Sequence, residues 1–404
     1  MLIQRKIIND PVHGFITINH PLLFKIIDHP CFQRLRRIKQ MAMASLVYPG
    51  AVHTRLHHAL GAYHLMCIAL NELKDKGADI SAEEELATKC AILLHDIGHG
   101  PFSHALEHIL VKGVHHEQLS LQIMQMMNKE LNGELQLAID IFTGKYHKPF
   151  LHQLISGQLD MDRMDYLSRD SFFTGVSEGV IGYDRILKML TVQGNQLVVE
   201  EKGLYSVEKF LIARRQMYWQ VYLHKTVLSG EKMLVSILKR AKEIFDLDDK
   251  DIILNSPLDY FFGVFDGTIS DDVLKRFCLL DDVDIEFAIK KWSHHPDKIL
   301  STLSQNVLNR KLLKCKLQAG TFDEKTIDRK TGKAQQLFSV SKEEAKYFVF
   351  TGETSNSIYN VGDENILMLM KDGSLKEISA LENSLIHQTL SAPVKKFYIC
   401  YPKS

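Results

Sequence analysis

The 404-residue sequence predicts a mainly α-helical fold, a large helical core with a smaller C-terminal α+β region, and three observations carry that prediction. From about Pro21 to Met233 apolar residues recur at helical spacing, as in Leu22, Leu23, Ile26, Ile27 and again in Leu86, Cys90, Leu93, Leu94. Strand-like runs gather only near the end, at Phe348-Val349-Phe350, Ile366 to Met370 before Lys371-Asp372-Gly373, and Lys396 to Tyr401. The length exceeds the roughly 250–300 residues at which a single core stops growing, so an appended region is expected.

Breakers divide the helical part. Pro49-Gly50 ends one element, Gly77 another, and Gly98 through Pro101 stops the helix carrying Leu93 and Leu94. A short hairpin is expected over Thr191 to Val199, then a helical stretch from Ser206 to Arg240 holding Arg214, Arg215, Tyr218 and Tyr222. Residues 246–310 read as small helices. The charged stretch Asp323 to Lys333, containing Gly332, reads as an exposed loop. The expected organisation is a main domain over 1–245, a helical extension over 246–310 and a small α+β region over 311–404.

Composition excludes several classes. The hydrophobic share of 45% and charged share of 24% are ordinary for a globular chain and argue against disorder. Lys plus Arg equal Asp plus Glu at 49 each, so no global field draws polyanions and any phosphate site must be a local basic cluster. Nucleic-acid binding is therefore disfavoured. The six cysteines (Cys31, Cys67, Cys90, Cys278, Cys315, Cys400) form no CxxC pair and read as buried thiols in a reducing cytoplasm. The N-terminus has no apolar leader, and no run of 18 apolar residues occurs, so neither secretion nor membrane spanning is expected.

Ten of the 19 histidines fall in the 64 residues from His53 to His116, where even spreading would place about three. A single histidine on a helix is more often a hydrogen-bonded core residue than a ligand, but a cluster with acidic neighbours reverses the odds. The sharpest element runs His95-Asp96-Ile97-Gly98-His99-Gly100-Pro101-Phe102-Ser103-His104, directly after Cys90-Ala91-Ile92-Leu93-Leu94. Adjacent His and Asp at a helix end offer one cation an imidazole nitrogen and a carboxylate oxygen. A further histidine can come from Thr54 to Gly61, where His58, Ala62, Leu65 and Ala69 share one helical face. A further carboxylate can come from Leu159 to Tyr166, where acids lie inside an apolar segment and would be costly to bury without a cation.

Taken in order, Thr54 to Gly61, His95 to Glu107, His115-His116-Glu117-Gln118 and Asp162 to Asp170 resemble the HD-domain deoxynucleoside triphosphate triphosphohydrolases, over residues 5 to about 240. The resemblance implies a helical HD-domain core. It implies one divalent ion per active site (Mn, Mg, Fe, Co, Ni or Zn) held by His58, His95, Asp96 and Asp162, and attack of water at the α-phosphorus that releases tripolyphosphate. His116, with Glu117 beside it, matches the family's catalytic histidine, with His99 and His104 in the same catalytic set. Arg55, Arg163 and Arg214 match phosphate-binding positions; Arg163 stands where related enzymes often have Lys, keeping the charge but not its point geometry. Gln40, Tyr166, Asp170, Tyr218 and Tyr222 match the wall around sugar and base, although Tyr218 and Tyr222 at i, i+4 also read as a packed helix face. Gln40-Met41-Ala42-Met43 departs from a Gly-rich variant, and Met41 lies where bulk would crowd a ribose 2′-hydroxyl.

The N-terminal stretch is also similar to the family's. By resemblance Lys6, Asn9, Asp28, Gln33 and Arg36 would form a regulatory guanine-nucleotide site for GTP or dGTP between subunits, implying a homo-oligomer, a dimer or a tetramer. A carboxylate can accept from guanine N1–H and N2–H while Arg donates to O6 and N7. The same residues also allow a simple helix bridge by Asp28 and Arg36. Two other readings compete for the whole: an HD phosphodiesterase or nucleotidase with another pocket, and a nucleotide sensor without catalysis.

Overall fold

The computed structural model describes residues 5–102, 114–247, 249–356, 365–381 and 394–403, and the fold is mainly α. The chain opens with a hairpin that helical periodicity did not disclose: β1 (Lys6–Asp10) and β2 (Gly14–Ile18) pair antiparallel, Lys6 opposite Ile18 and Asp10 opposite Gly14. Gly14 closes the turn at φ +75°, a backbone state that costs glycine little. Helix α1 (Pro21–Asp28) follows, with Pro21 at its start, where the missing N–H would be unpaired anyway, and Leu22, Leu23, Phe24, Ile26 and Ile27 turned inward.

Three helices form the centre. Helix α2 (Arg55–Asp75) packs on α3 (Ala82–Leu94) and on α5 (Met161–Thr174), while α4 (His116–Glu130) begins beside the turn that follows α3. In α2 the face expected to point inward does so: His58, Ala62, Leu65 and Ala69 are fully buried. Helix α3 starts in a capping box, Ser81 accepting from the Glu84 N–H at 3.2 Å and Glu84 from the Ser81 N–H at 2.8 Å. Its other end delivers His95.

Glu84 also accepts from the Tyr146 hydroxyl at 2.7 Å and pairs with Lys148. Burial opposes its charge, but these donors outweigh burial and hold its pKa down at about 2, from an ordinary 4.5. Its stabilisation is therefore present above pH 4.5 and lost as pH falls through about 2. Glu84→Gln is expected to lower unfolding stability at neutral pH by about 1–3 kcal/mol, with the gap to wild type narrowing progressively below pH 4.5 in urea titrations.

After α5 come the expected hairpin, β3 (Leu190–Gln193) with β4 (Gln196–Glu200), and helix α6 (Leu204–Met217). The helical stretch expected from Ser206 to Arg240 is interrupted. A π-helical turn over Tyr218–Tyr222, in which the Leu223 N–H reaches back to the Tyr218 carbonyl at 2.7 Å, separates α6 from α7 (Lys225–Phe245). His224 restarts the helix by accepting from the Thr226 N–H. Such turns are frequent at functional sites, and this one carries two tyrosines of interest.

Residues 246–310 are short helices, as expected, including α8 (Asp282–Trp292) and α9 (Lys298–Leu308). Beyond them lie β5 (Lys314–Gln318), α10 (Glu324–Phe338), β6 (Phe350–Asn356), β7 (Leu367–Leu369), β8 (Leu375–Glu377) and β9 (Val394–Tyr401). One sheet has the order β5-β9-β6; in the other, β3-β4-β7-β8, β4 pairs in parallel with β7. The sequence reading fails at two places here. The stretch Asp323 to Lys333 belongs to a helix, not a loop: Asp323 caps it by accepting from the Thr326 N–H at 2.7 Å, Ala334 is fully buried, and Phe338 stacks on Phe348 at 4.1 Å. That packing outweighs the cost of Gly332 inside the helix, about 1 kcal/mol. Phe348 and Val349 precede β6 and lie outside it. All six cysteines are free, five of them buried. Among the described residues no helix is long and apolar enough to cross a membrane.

Candidate metal and active site

The histidine-rich elements meet at one point. His58 from α2, His95 at the end of α3 and Asp162 at the start of α5 place ligand atoms within 4.8 Å of one another. His58 Nε2 lies 3.0 Å from Asp162 Oδ1 and 3.3 Å from His95 Nε2, and His95 Nε2 lies 3.6 Å from Asp162 Oδ1. Asp96 flanks them, Oδ1 3.4 Å from His95 Nε2 and Oδ2 3.7 Å from His58 Nε2. Two ligands at right angles and about 2.1 Å from a common cation stand about 3.0 Å apart, so the set fits a divalent ion.

Electrostatics agrees with that fit. Burial works against charge on His58, but Asp162 and Asp165 outweigh it and push the imidazole up to about 10. Burial likewise opposes the Asp162 carboxylate, yet His58 and His95 hold it below the usual range. A buried cluster whose carboxylates raise the proton affinity of two imidazoles is one that a cation can neutralise in place of those protons. The outward nitrogens are fixed: His95 Nδ1 meets the Ile92 carbonyl at 2.6 Å, and His58 Nδ1 meets Asp165 Oδ2 at 2.7 Å.

Around this point lie most of the residues singled out by sequence. Arg55, the first residue of α2, is buried and pairs with Asp96. His99 stacks on His116 with ring centres 4.0 Å apart, its Nε2 3.4 Å from Asp96 Oδ1. Burial, then the Arg55 charge, keeps the His99 pKa well below its ordinary value, so this ring is neutral. His116 is half-buried at the start of α4, and Glu117 beside it is exposed. His104 lies outside the described residues.

Gly98 permits this juxtaposition. A Cβ there would stand 2.2 Å from the His116 carbonyl oxygen and 2.3 Å from the Ser120 nitrogen, both backbone atoms, while the Gly98 N–H donates to Ser120 Oγ at 2.9 Å. Gly98→Ala is expected to push α4 away from the His95 turn, at a cost of about 1–3 kcal/mol by overpacking, and to lower turnover of any substrate processed by His116. Thermal unfolding and rate assays on the same preparation check both.

A second wall is aromatic. The Tyr222 hydroxyl donates to Asp170 Oδ2 at 2.8 Å, and its ring meets Tyr166 at 6.2 Å and Tyr218 at 5.2 Å, both edge to face. Arg214 lies 6.0 Å from the Tyr218 ring and donates to Gln158 at 3.4 Å. Gln40 enters through its backbone, whose N–H donates to the His53 carbonyl at 2.9 Å; its side-chain oxygen is buried with no partner among the described residues. Arg163 points elsewhere: it is held by Asp160 and the Gly157 carbonyl.

The N-terminal candidates are partly linked. Lys6 pairs with Asp28 at 3.0 Å, Gln33 donates to the Ile27 carbonyl at 2.6 Å, and Arg36 donates to Gln33 Oε1 at 2.7 Å. Asn9 lies in β1 opposite Phe15. Sequence reasoning assigned no role to His13, His53, Asp165 or Arg169. His53 reaches Asp170 Oδ1 at 2.7 Å, and Asp165 holds His58. The spacing of Asp162, Asp165 and Arg169, three and then four residues apart on one helix, was the signal available.

Comparison with known proteins agrees with this architecture. The HD domain family matches residues 55–170, and the HD associated region matches 181–257. A crystal structure of a phosphohydrolase from Bacteroides thetaiotaomicron is 51% identical and superimposes with a TM-score of 0.94 over 99% of this chain and 100% of that one. The uncharacterized protein YwfO of Bacillus subtilis is 32% identical across all of this chain and 93% of its own length. The deoxynucleoside triphosphate triphosphohydrolase SAMHD1 homolog of Dictyostelium discoideum is 28% identical over 76% of this chain, which spans 59% of that protein. The chain belongs to the HD superfamily of metal-dependent phosphohydrolases.

Proposed function

We propose that the protein hydrolyses deoxynucleoside triphosphates to deoxynucleoside and tripolyphosphate. The observation that carries the reading is that Asp162 of the His/Asp cluster and Tyr166 lie one turn apart on α5, and that Tyr166, Tyr222 and Asp170 together offer rings, a hydroxyl and a carboxylate suited to a sugar rather than to a bare phosphate. In this reading His58, His95, Asp96 and Asp162 hold the cation, which when bound polarises a phosphoryl oxygen and lowers the pKa of bound water. Arg55, already paired with Asp96, offers its guanidinium to the phosphates, and neutral His99 adds a hydrogen bond without adding charge. Arg214 reaches the chain of phosphates from the tyrosine side; Arg163 joins only by leaving Asp160. His116, held against His99, delivers a proton from its ring nitrogen to the departing 5′ oxygen, with Glu117 beside it. Asp170, flanked by Tyr222 and His53, accepts from the sugar 3′-hydroxyl, and Tyr166 packs under the ring.

We assign Lys6, Asn9, Asp28, Gln33 and Arg36 to a guanine-nucleotide activator site shared between subunits, and we assign to His104, on its motif alone, a role toward the substrate phosphates. Purified protein given each deoxynucleoside triphosphate with Mn2+, with and without GTP, tests both statements. Nucleoside plus tripolyphosphate is the expected product pair, with a higher rate when GTP is present. Orthophosphate or pyrophosphate would contradict the first statement, and an unchanged rate the second.

A further inference from the structure

His58 has two nitrogens, and only one faces the cluster. The other, Nδ1, meets Asp165 Oδ2 at 2.7 Å, and Asp165 is the hub of a fully buried network. Arg169 donates to both of its oxygens, Nε to Oδ2 at 2.9 Å and Nη2 to Oδ1 at 3.0 Å. The remaining partner comes from the other end of the chain: His13 Nε2 lies 2.6 Å from Asp165 Oδ1, and neither side chain is exposed at all. The β1–β2 turn is built to present His13. Asp10 Oδ1 accepts from the Val12 and His13 N–H groups at 3.0 and 2.9 Å, and Arg169 anchors Asp10 at 2.7 Å. His13 Nδ1 is occupied by the Tyr183 hydroxyl at 3.2 Å, and its ring stacks on His64 with centres 5.5 Å apart. This hairpin lies outside both family matches, which begin at residue 55.

We propose that His13 is a positioning residue of the metal centre: by donating from Nε2 to Asp165 it completes a His13–Asp165–His58 chain that keeps His58 protonated on Nδ1 and its Nε2 lone pair aimed at the cation. A ligating imidazole needs its distal N–H held by an acceptor, and that acceptor needs its own donors to stay in place. Arg169 alone leaves the Oδ1 edge of Asp165 with one donor where two now hold it, so the carboxylate gains freedom to turn and His58 turns with it. The N-terminal hairpin is thereby a structural part of the metal site, although 152 residues separate His13 from Asp165.

The inference rests on the reading of His58 as a metal ligand, and the test separates the two. Mn2+ affinity is measured on the full chain by the electron paramagnetic resonance of free Mn2+, for wild type, His13→Phe, His13→Gln and His58→Ala. Phe keeps the stacking on His64 and the edge contact with Tyr183 but has no donor; Gln keeps a donor. His58→Ala is expected to abolish binding, His13→Phe to weaken it on the order of 10- to 100-fold, and His13→Gln to recover most of the loss. Wild-type affinity in folded His13→Phe, with binding lost in His58→Ala, overturns the proposal alone; undiminished binding in His58→Ala overturns the ligand reading and the proposal with it. An imidazole 15N–1H spectrum of wild-type protein loaded with Mg2+ gives the same decision without a substitution at His13. Protons on His13 Nε2 and His58 Nδ1 are expected, and an unprotonated His13 Nε2 overturns the relay.

Discussion

Asp96→Ala is expected to lower triphosphate hydrolysis by about a thousand-fold or more while leaving a cooperative thermal transition, because it removes a ligand whose charge stabilisation nothing else can supply. Asp96 is the point where three features of the site meet: it approaches both imidazoles, pairs with Arg55 and faces His99. Its carboxylate is kept below the ordinary range, burial opposing and the neighbouring cations outweighing it, so the negative charge is present throughout the neutral range. The check is a steady-state assay at saturating Mn2+ beside Asp272→Ala, which alters an exposed ion pair with Arg276 and is expected to leave the rate unchanged. A loss under tenfold at Asp96 would remove it from the ligand set and leave the trio His58, His95 and Asp162.

His116→Gln addresses proton transfer separately from metal binding. His116 is not one of the trio His58, His95 and Asp162, so Mn2+ affinity is expected to stay within about threefold of wild type, as for a site outside the ligand shell. Turnover is expected to fall by about 10²- to 10⁴-fold, the usual size of a general acid's contribution. The stack on His99 limits where the ring can go, and Gln preserves a polar side chain without a transferable proton. A triphosphate ester of nitrophenol, whose leaving oxygen needs no proton, should lose far less. If both substrates suffer equally, His116 positions the water or the phosphates and is not the acid.

The core of this site was legible because its residues lie on helices or directly at a helix end, beside apolar residues at helical spacing. His58 could be placed inward from the spacing of Ala62, Leu65 and Ala69 alone, and His95-Asp96 from its place at the end of an apolar helix. What escaped depends on distant partners. His13 has no local feature that marks it, and only the fold brings it to Asp165. The π turn over Tyr218–Tyr222 was invisible because its residues are compatible with a continuous helix. The helix Glu324–Phe338 was misread because Gly332 and a dense charge pattern suggested solvent, while its holding contacts, Phe338 on Phe348 and buried Ala334, come from tertiary packing. The parallel pairing of β4 with β7 likewise joins segments that no sequence window contains together.

The most direct test of the central claim is hydrolysis of a deoxynucleoside triphosphate in 18O-labelled water, with the label traced by mass spectrometry. Attack at the α-phosphorus places one 18O in tripolyphosphate and none in the deoxynucleoside, and this is the expected result. Label in the deoxynucleoside would mean cleavage of the carbon–oxygen bond, and label in released orthophosphate would mean attack at the γ-phosphorus. Either outcome would contradict a site in which the Arg55, His99 and His116 groups act on the bond between the sugar oxygen and the α-phosphorus.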